Sequence, residues 1–191
     1  MRLLLALFIA WPSVAFAYEC TVVTDNTGQV VAPRRTQVWN QRCIPYFINR
    51  TGNLLAGPER RQLLKESFDV WSAPNCTDLT FLDVGYTNEV SGFDARSNSN
   101  QNVVWSVETE EEQASVFTNA RQVAITETFY SVESGEIFNA DLSINSIGFD
   151  FQDISDEVSC RVSDNPPFDL RSILVHEVGH FIGFDHNQAD I

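Results

Sequence analysis

Lysine and methionine each occur once in this 191-residue chain, as Lys65 and Met1, and histidine occurs only three times. Twelve basic residues stand against 26 acidic ones, leaving a formal net charge of −14. A nucleic-acid backbone or an anionic membrane surface needs clustered cations, so this balance argues against both as partners. No apolar run reaches the ~20 residues a membrane-spanning helix requires. The four cysteines, Cys20, Cys43, Cys76 and Cys160, include no C-x-x-C pair, which disfavours a cysteine-based zinc site. Repeats and low-complexity blocks are absent too. The length and an apolar fraction of 43% fit one globular domain with a core of its own.

The chain begins with a short positive start, Met1-Arg2, then an apolar stretch, Leu3 to Trp11, then Ala15-Phe16-Ala17. That order is expected of a secretory signal peptide over 1–17, with the mature chain starting near Tyr18. In an exported protein an even cysteine count implies two disulfides, and four cysteines allow three pairings. Cys20–Cys43 and Cys76–Cys160 are the pairs expected, although spacing alone leaves the choice open. Residues 18–40 are polar and turn-rich and read as an arm.

Beyond the arm, CIPYFIN (43–49), LTFLDV (79–84), NVVWSV (102–107), QVAITETFYSV (122–132) and IFNADLSINSI (137–147) read as strands. In the last, Phe138, Ala140, Leu142 and Ile144 alternate with Asn139, Asp141, Ser143 and Asn145. The alternation predicts one buried and one open face. Residues 57–74 read as a helix opened by Gly57-Pro58 and closed before Pro74, with Leu64, Phe68 and Trp71 on one face. The acidic run ETEEEQ (108–113) reads as a solvated face. A final helix starts after Pro166-Pro167, with Asp169 as its N-cap. Strands, helix, strands and helix make an α+β layout.

All three histidines lie in the last helix and just past it, in HEVGHFIGFDH, His176 to His186. His176 and His180 are one turn apart and share a helix face. His186, six residues on, would swing about 100° per residue to the wrong side of a continuing helix. Gly183 permits the helix to end in a left-handed turn, so that His186 can face the same point. Three neutral imidazoles with a fourth position open is the layout of a catalytic zinc. Glu177 lies beside that position and is placed to take a proton from a water held there. Such an arrangement can hydrolyse a peptide bond without a covalent intermediate.

The full pattern H-E-x-x-H-x-x-G-x-x-H resembles the signature of the metzincin zinc endopeptidases. The chain looks most like the matrixins within that clan, in particular secreted bacterial ones. CIPYFIN, FDVWS, LTFLDVGY, NVVWSVE, VAITETF and GEIFNADLSIN are similar to their strands and first helix. The resemblance implies a zincin-like (metzincin) N-terminal subdomain: a twisted, mixed five-stranded sheet backed by two long helices. It has four parallel strands and one antiparallel edge. It places residues 41–191 in a metzincin catalytic domain and makes VAITETF the edge strand. Val123, Ala124, Ile125 and Thr126, continuing to Thr128, are then expected to line the cleft and bind a peptide substrate. It implies one catalytic zinc on His176, His180 and His186, with Glu177 as general base. It also implies structural calcium, for which the 85–102 loop with Asp94, and Asp141, are candidates. The family's methionine turn after the third histidine is not found here, because the only methionine is Met1. The C-terminal subdomain is therefore expected to be missing, and the chain to be a fragment or a degenerate member.

The implied protein is a secreted, monomeric metalloendopeptidase acting on proteins or peptides. Two other readings use the same residues: a catalytically silent matrixin-like binding module, and a zinc-stabilised structural domain. Glu177 separates them from the enzyme, since a structural site needs no carboxylate there and closes its fourth position with a protein ligand.

Overall fold

A computed structural model describes residues 18–154 and 166–186. The expected signal peptide at 1–17 and Cys160 lie outside the described residues. The elements run β1 (Tyr18–Cys20), β2 (Val38–Trp39), β3 (Cys43–Asn49), α1 (Pro58–Ser72), β4 (Thr80–Thr87), β5 (Val103–Val107), α2 (Glu110–Val116), β6 (Ala124–Tyr130), β7 (Glu136–Asn145), β8 (Phe151–Gln152), β9 (Phe168–Asp169), α3 (Leu170–Phe181) and β10 (Phe184–His186).

The main sheet is mixed. β4, β3, β5 and β7 are parallel neighbours in that order, and β6 runs antiparallel along β7. Ile137 pairs with both Tyr130 of β6 and Trp39 of β2, and Leu142 with both Thr126 of β6 and Val104 of β5. A strand residue has two edges, so β2 and β5 share the edge of β7 opposite β6. The expected five strands are present, and β2 is a short sixth.

The two long helices pack on one face. Leu63, Leu64 and Phe68 of α1 and Leu170, Leu174, Val178 and Phe181 of α3 are buried against Ile44, Tyr46, Ile48, Val104, Leu142 and Ile144. The helical stripe expected in α1 is this contact: the Phe68 ring stacks on Tyr46 at 4.2 Å. Trp71 is half-buried and donates from Nε1 to the Val175 carbonyl at 2.9 Å, joining α1 to the middle of α3. Among the described residues no helix is long and apolar enough to cross a membrane.

The other face is not open, which corrects the reading of β7. Phe138 is 43% exposed, whereas Asn139, Asp141, Ser143 and Asn145 are buried. The loop before β5 and the segment after α2 cover that face and use those polar side chains as anchors. Asp141 accepts from Gly92 N and Val103 N, and Asn145 Nδ2 donates to the Gln122 carbonyl. A second apolar cluster of Val103, Trp105, Val107 and Phe117 lies there as well. The acidic run is also more than a solvated face. Thr109 and Glu112 form a capping box, so the run starts α2 with its negative charge at the positive end of the helix.

Cys20, Cys43 and Cys76 are exposed free thiols. The expected Cys20–Cys43 pair is not formed; the two lie in different sheets. Cys20 pairs with Phe184 across β1 and β10, and Cys43 with Thr80 across β3 and β4. The other expected pair involves Cys160, outside the described residues.

Asp169 caps α3 as its position suggests. Its Oδ2 accepts from Ser172 N at 3.3 Å and from the Ser172 hydroxyl, and its Oδ1 accepts from Ile154 N. Asp169→Ala is expected to cost about 1 kcal/mol of stability, read as a lower urea midpoint with an unchanged slope. Asp169→Asn, which keeps the capping acceptor, is expected to recover most of it.

Candidate metal centre and cleft

α3 carries His176 and His180 one turn apart, and Gly183 then reverses the chain. Gly183 has φ +96°, in the left-handed region that glycine enters cheaply. Its N–H donates to the His180 carbonyl at 2.9 Å. Three residues later the His186 ring arrives beside the other two. His176 Nε2 lies 3.1 Å from His180 Nε2 and 2.9 Å from His186 Nε2. Three nitrogens at corners of a tetrahedron around one zinc, each ~2.0–2.1 Å from it, would be about 3.3 Å apart. The spacing found is close to that.

The second nitrogen of each ring decides which one can ligate. His180 Nδ1 lies 2.8 Å from the Phe184 carbonyl oxygen. A carbonyl only accepts, so Nδ1 carries the proton and Nε2 keeps its lone pair. Burial, and then the neighbouring His180 and His186, hold the His176 imidazole below its ordinary pKa, in the neutral form a metal takes. The residues therefore fit a zinc ion. Among the described residues this trio is the only group of three or more such side chains that converges on one point.

Asp94 and Asp141, the calcium candidates, do not belong to such a group. Both Asp141 oxygens are engaged by backbone N–H groups. Burial, the dominant influence, pushes the Asp141 carboxyl up to about 7. The carboxylate is a tether between loop and sheet.

Glu177 is only 7% exposed. Its Oε2 accepts from Thr126 Oγ1 at 2.7 Å. Burial raises its pKa, with the Thr126 hydrogen bond and then His180 and His186 acting against the rise. The carboxyl is thus held nearer neutrality than that of an exposed glutamate.

These side chains share a cavity of about 280 Å³ with Ala124, Ile125, Thr126 and Thr128 of β6. Val123 is not among them. It packs against the core, and its carbonyl accepts from Asn145 N. Gln122, Phe184, Asp185 and Thr21 complete the lining. Thr21 comes from the arm, a contribution that sequence spacing does not reveal.

The arm runs beneath the third-histidine turn. β1 pairs antiparallel with β10, setting Tyr18 opposite His186 and Cys20 opposite Phe184. Thr21 N donates to the Gly183 carbonyl at 2.8 Å, and Trp39 Nε1 to the Phe181 carbonyl at 2.8 Å. Gln37, 5% exposed, accepts at Oε1 from Thr128 Oγ1 at 2.6 Å. On the far side Trp71 stacks on Phe184 at 5.4 Å. The turn is held between the arm and α1.

Comparison with known proteins agrees with this geometry. Residues 38–190 match the matrixin family. The chain belongs to that family. It is 28% identical over 152 residues to Matrix metalloproteinase-16 of Rattus norvegicus, and 27% over 162 residues to Matrix metalloproteinase-16 of Homo sapiens. Each comparison covers 79% of this chain and 22% of the relative. This matrixin chain therefore spans about a fifth of the length of the curated relatives it matches. The match begins at β2, so β1 and most of the arm that braces the turn precede the matrixin segment.

Proposed function

We propose that this matrixin chain carries the catalytic centre of a secreted, monomeric zinc metalloendopeptidase that hydrolyses peptide bonds of protein or peptide substrates. The observation that carries the reading is the convergence of three histidine Nε2 atoms beside one buried carboxylate, in a cavity walled by an edge strand. His176, His180 and His186 would hold the zinc through Nε2. When bound, zinc supplies a Lewis acid that polarises the scissile carbonyl and makes a neighbouring water more acidic.

The rest falls to the chain. β6 is paired on one side only among the described residues, so an extended peptide can add to its open edge by main-chain hydrogen bonds. Glu177, with Oε2 held by Thr126, takes the proton of the attacking water at Oε1. The water oxygen bonds to the carbonyl carbon, and Glu177 returns the proton to the amine nitrogen as the C–N bond breaks. Burial of Glu177 keeps bulk water from competing for that proton. The apolar start and Ala15-Phe16-Ala17 support export of the protein.

The full-length protein loaded with zinc is expected to bind about one equivalent and to cleave casein or gelatin. A strong zinc chelator should stop cleavage, and added zinc should restore it. Cleavage that persists after the metal is removed would defeat the reading, and so would a zinc-loaded protein that cleaves neither substrate.

A further inference from the structure

We propose that Thr126 is the positioning residue of the Glu177 carboxylate, so that the strand receiving substrate also aims the general base. This inference rests on the metalloendopeptidase reading and extends it to a residue that the zinc motif does not contain.

Thr126 lies in the middle of β6, 51 positions before Glu177 in sequence. Its backbone is fixed by pairing with Leu142 of β7. Successive strand side chains alternate faces. Thr126 and Thr128 bond toward α3 and the arm, while Phe129, on the opposite face, stacks on Phe93. The Thr126 hydroxyl is 2.7 Å from Glu177 Oε2 and 3.1 Å from the Glu177 backbone carbonyl. It has one proton to give, and the carboxylate is both the nearer and the stronger acceptor. Threonine is stiff at χ1, so the donor direction is set by the strand.

Among the described residues no other hydrogen bond reaches the Glu177 carboxylate. Oε2 is therefore pinned, and Oε1 remains for the water. Without the hydroxyl the carboxylate can rotate about its last bond, whose energy profile is broad. The proton acceptor would then spend much of its time out of line with the attacking oxygen. Misplacement of a reacting group by about 1 Å can cost on the order of 100-fold in rate.

The discriminating experiment compares Thr126→Val, Thr126→Ser and the wild type, each zinc-loaded, on one fluorogenic peptide. Valine keeps the branched shape and the strand preference and removes only the donor. Thr126→Val is expected to lower kcat roughly 10- to 100-fold, with KM within about twofold and zinc content unchanged. Thr126→Ser retains the hydroxyl and is expected to stay within about threefold of wild-type kcat. An unchanged kcat in Thr126→Val would overturn the inference while leaving the protease reading intact. A serine variant as slow as valine would overturn it too, since packing and not the hydroxyl would then be responsible. A wild-type protein that binds zinc yet cleaves nothing would remove the protease reading, and this inference with it.

Discussion

Glu177→Ala is expected to abolish measurable peptide cleavage while the protein still binds zinc. The size follows from the role. Proton transfer by a positioned side chain contributes about 10²–10⁴-fold, and among the described residues no other carboxylate lines the cavity except that of Asp185. Asp185 is already engaged: one of its oxygens accepts from His186 N at 2.8 Å, in the turn itself. It is poorly placed to substitute. Zinc retention follows from geometry, because the three Nε2 atoms meet each other and none of them bonds to Glu177. His180 keeps its hydrogen bond to the Phe184 carbonyl, so its tautomer should not change.

The variant also removes a buried carboxylate, which relieves a desolvation cost and leaves the Thr126 hydroxyl with the Glu177 carbonyl at 3.1 Å as an acceptor. A stability change within about 1 kcal/mol is expected. Zinc content by atomic absorption and cleavage of a fluorogenic peptide, measured on the same sample, give the answer. Cleavage at the wild-type rate would show that another group moves the proton. Loss of zinc together with cleavage would show instead that Glu177 holds the metal. Glu177→Gln, which keeps size and the bond from Thr126, should be as inactive as the alanine variant.

The histidine cluster is legible in the sequence because its logic is local. One helical turn, one glycine and one reversal all lie within His176 to His186, and the spacing alone dictates where the rings meet. The strands are legible for a similar reason. CIPYFIN coincides with β3, and the expected antiparallel edge is β6. What escaped is long-range. The alternation in β7 suggests an open polar face, but Asn139, Asp141 and Asn145 are buried anchors for segments that periodicity cannot see. The arm reads only as a polar, turn-rich stretch because its strands are two and three residues long, too short to carry a pattern. Its hydrogen bonds to the rest of the fold reach residues 91 or more positions away. Thr126 could be placed near the cleft by resemblance, yet its bond to Glu177 depends on how β6 packs on α3. The expected Cys20–Cys43 pair was drawn from position along the chain, whereas Cys20 lies in β1 against β10 and Cys43 in the main sheet, both as free thiols.

Gly183 provides the second large effect, since it joins the local logic of the histidines to the long-range packing of the arm. Gly183→Ala is expected to weaken zinc binding roughly 10- to 100-fold, as loss of a supporting outer partner does, and to destabilise the fold by about 1–3 kcal/mol. Two causes act together. A side chain at φ +96° is strained in the left-handed region. In addition, a Cβ built at this position would lie 2.6 Å from the Gln37 carbonyl oxygen, and a backbone atom inside the arm cannot step aside as a side chain tip could. Relief requires the turn to lift off the arm, which carries His186 away from His176 and His180. Gly28→Ala separates the causes. Gly28 has a similar φ of +81°, but a Cβ there meets nothing within 4 Å. It should lose about 1 kcal/mol and keep full zinc affinity. Competition against a chromophoric chelator measures the affinity, and urea unfolding the stability. Should Gly183→Ala lose stability but bind zinc as tightly as the wild type, the arm would be a structural brace alone, and the position of His186 would be set by α3 and Trp71 without it.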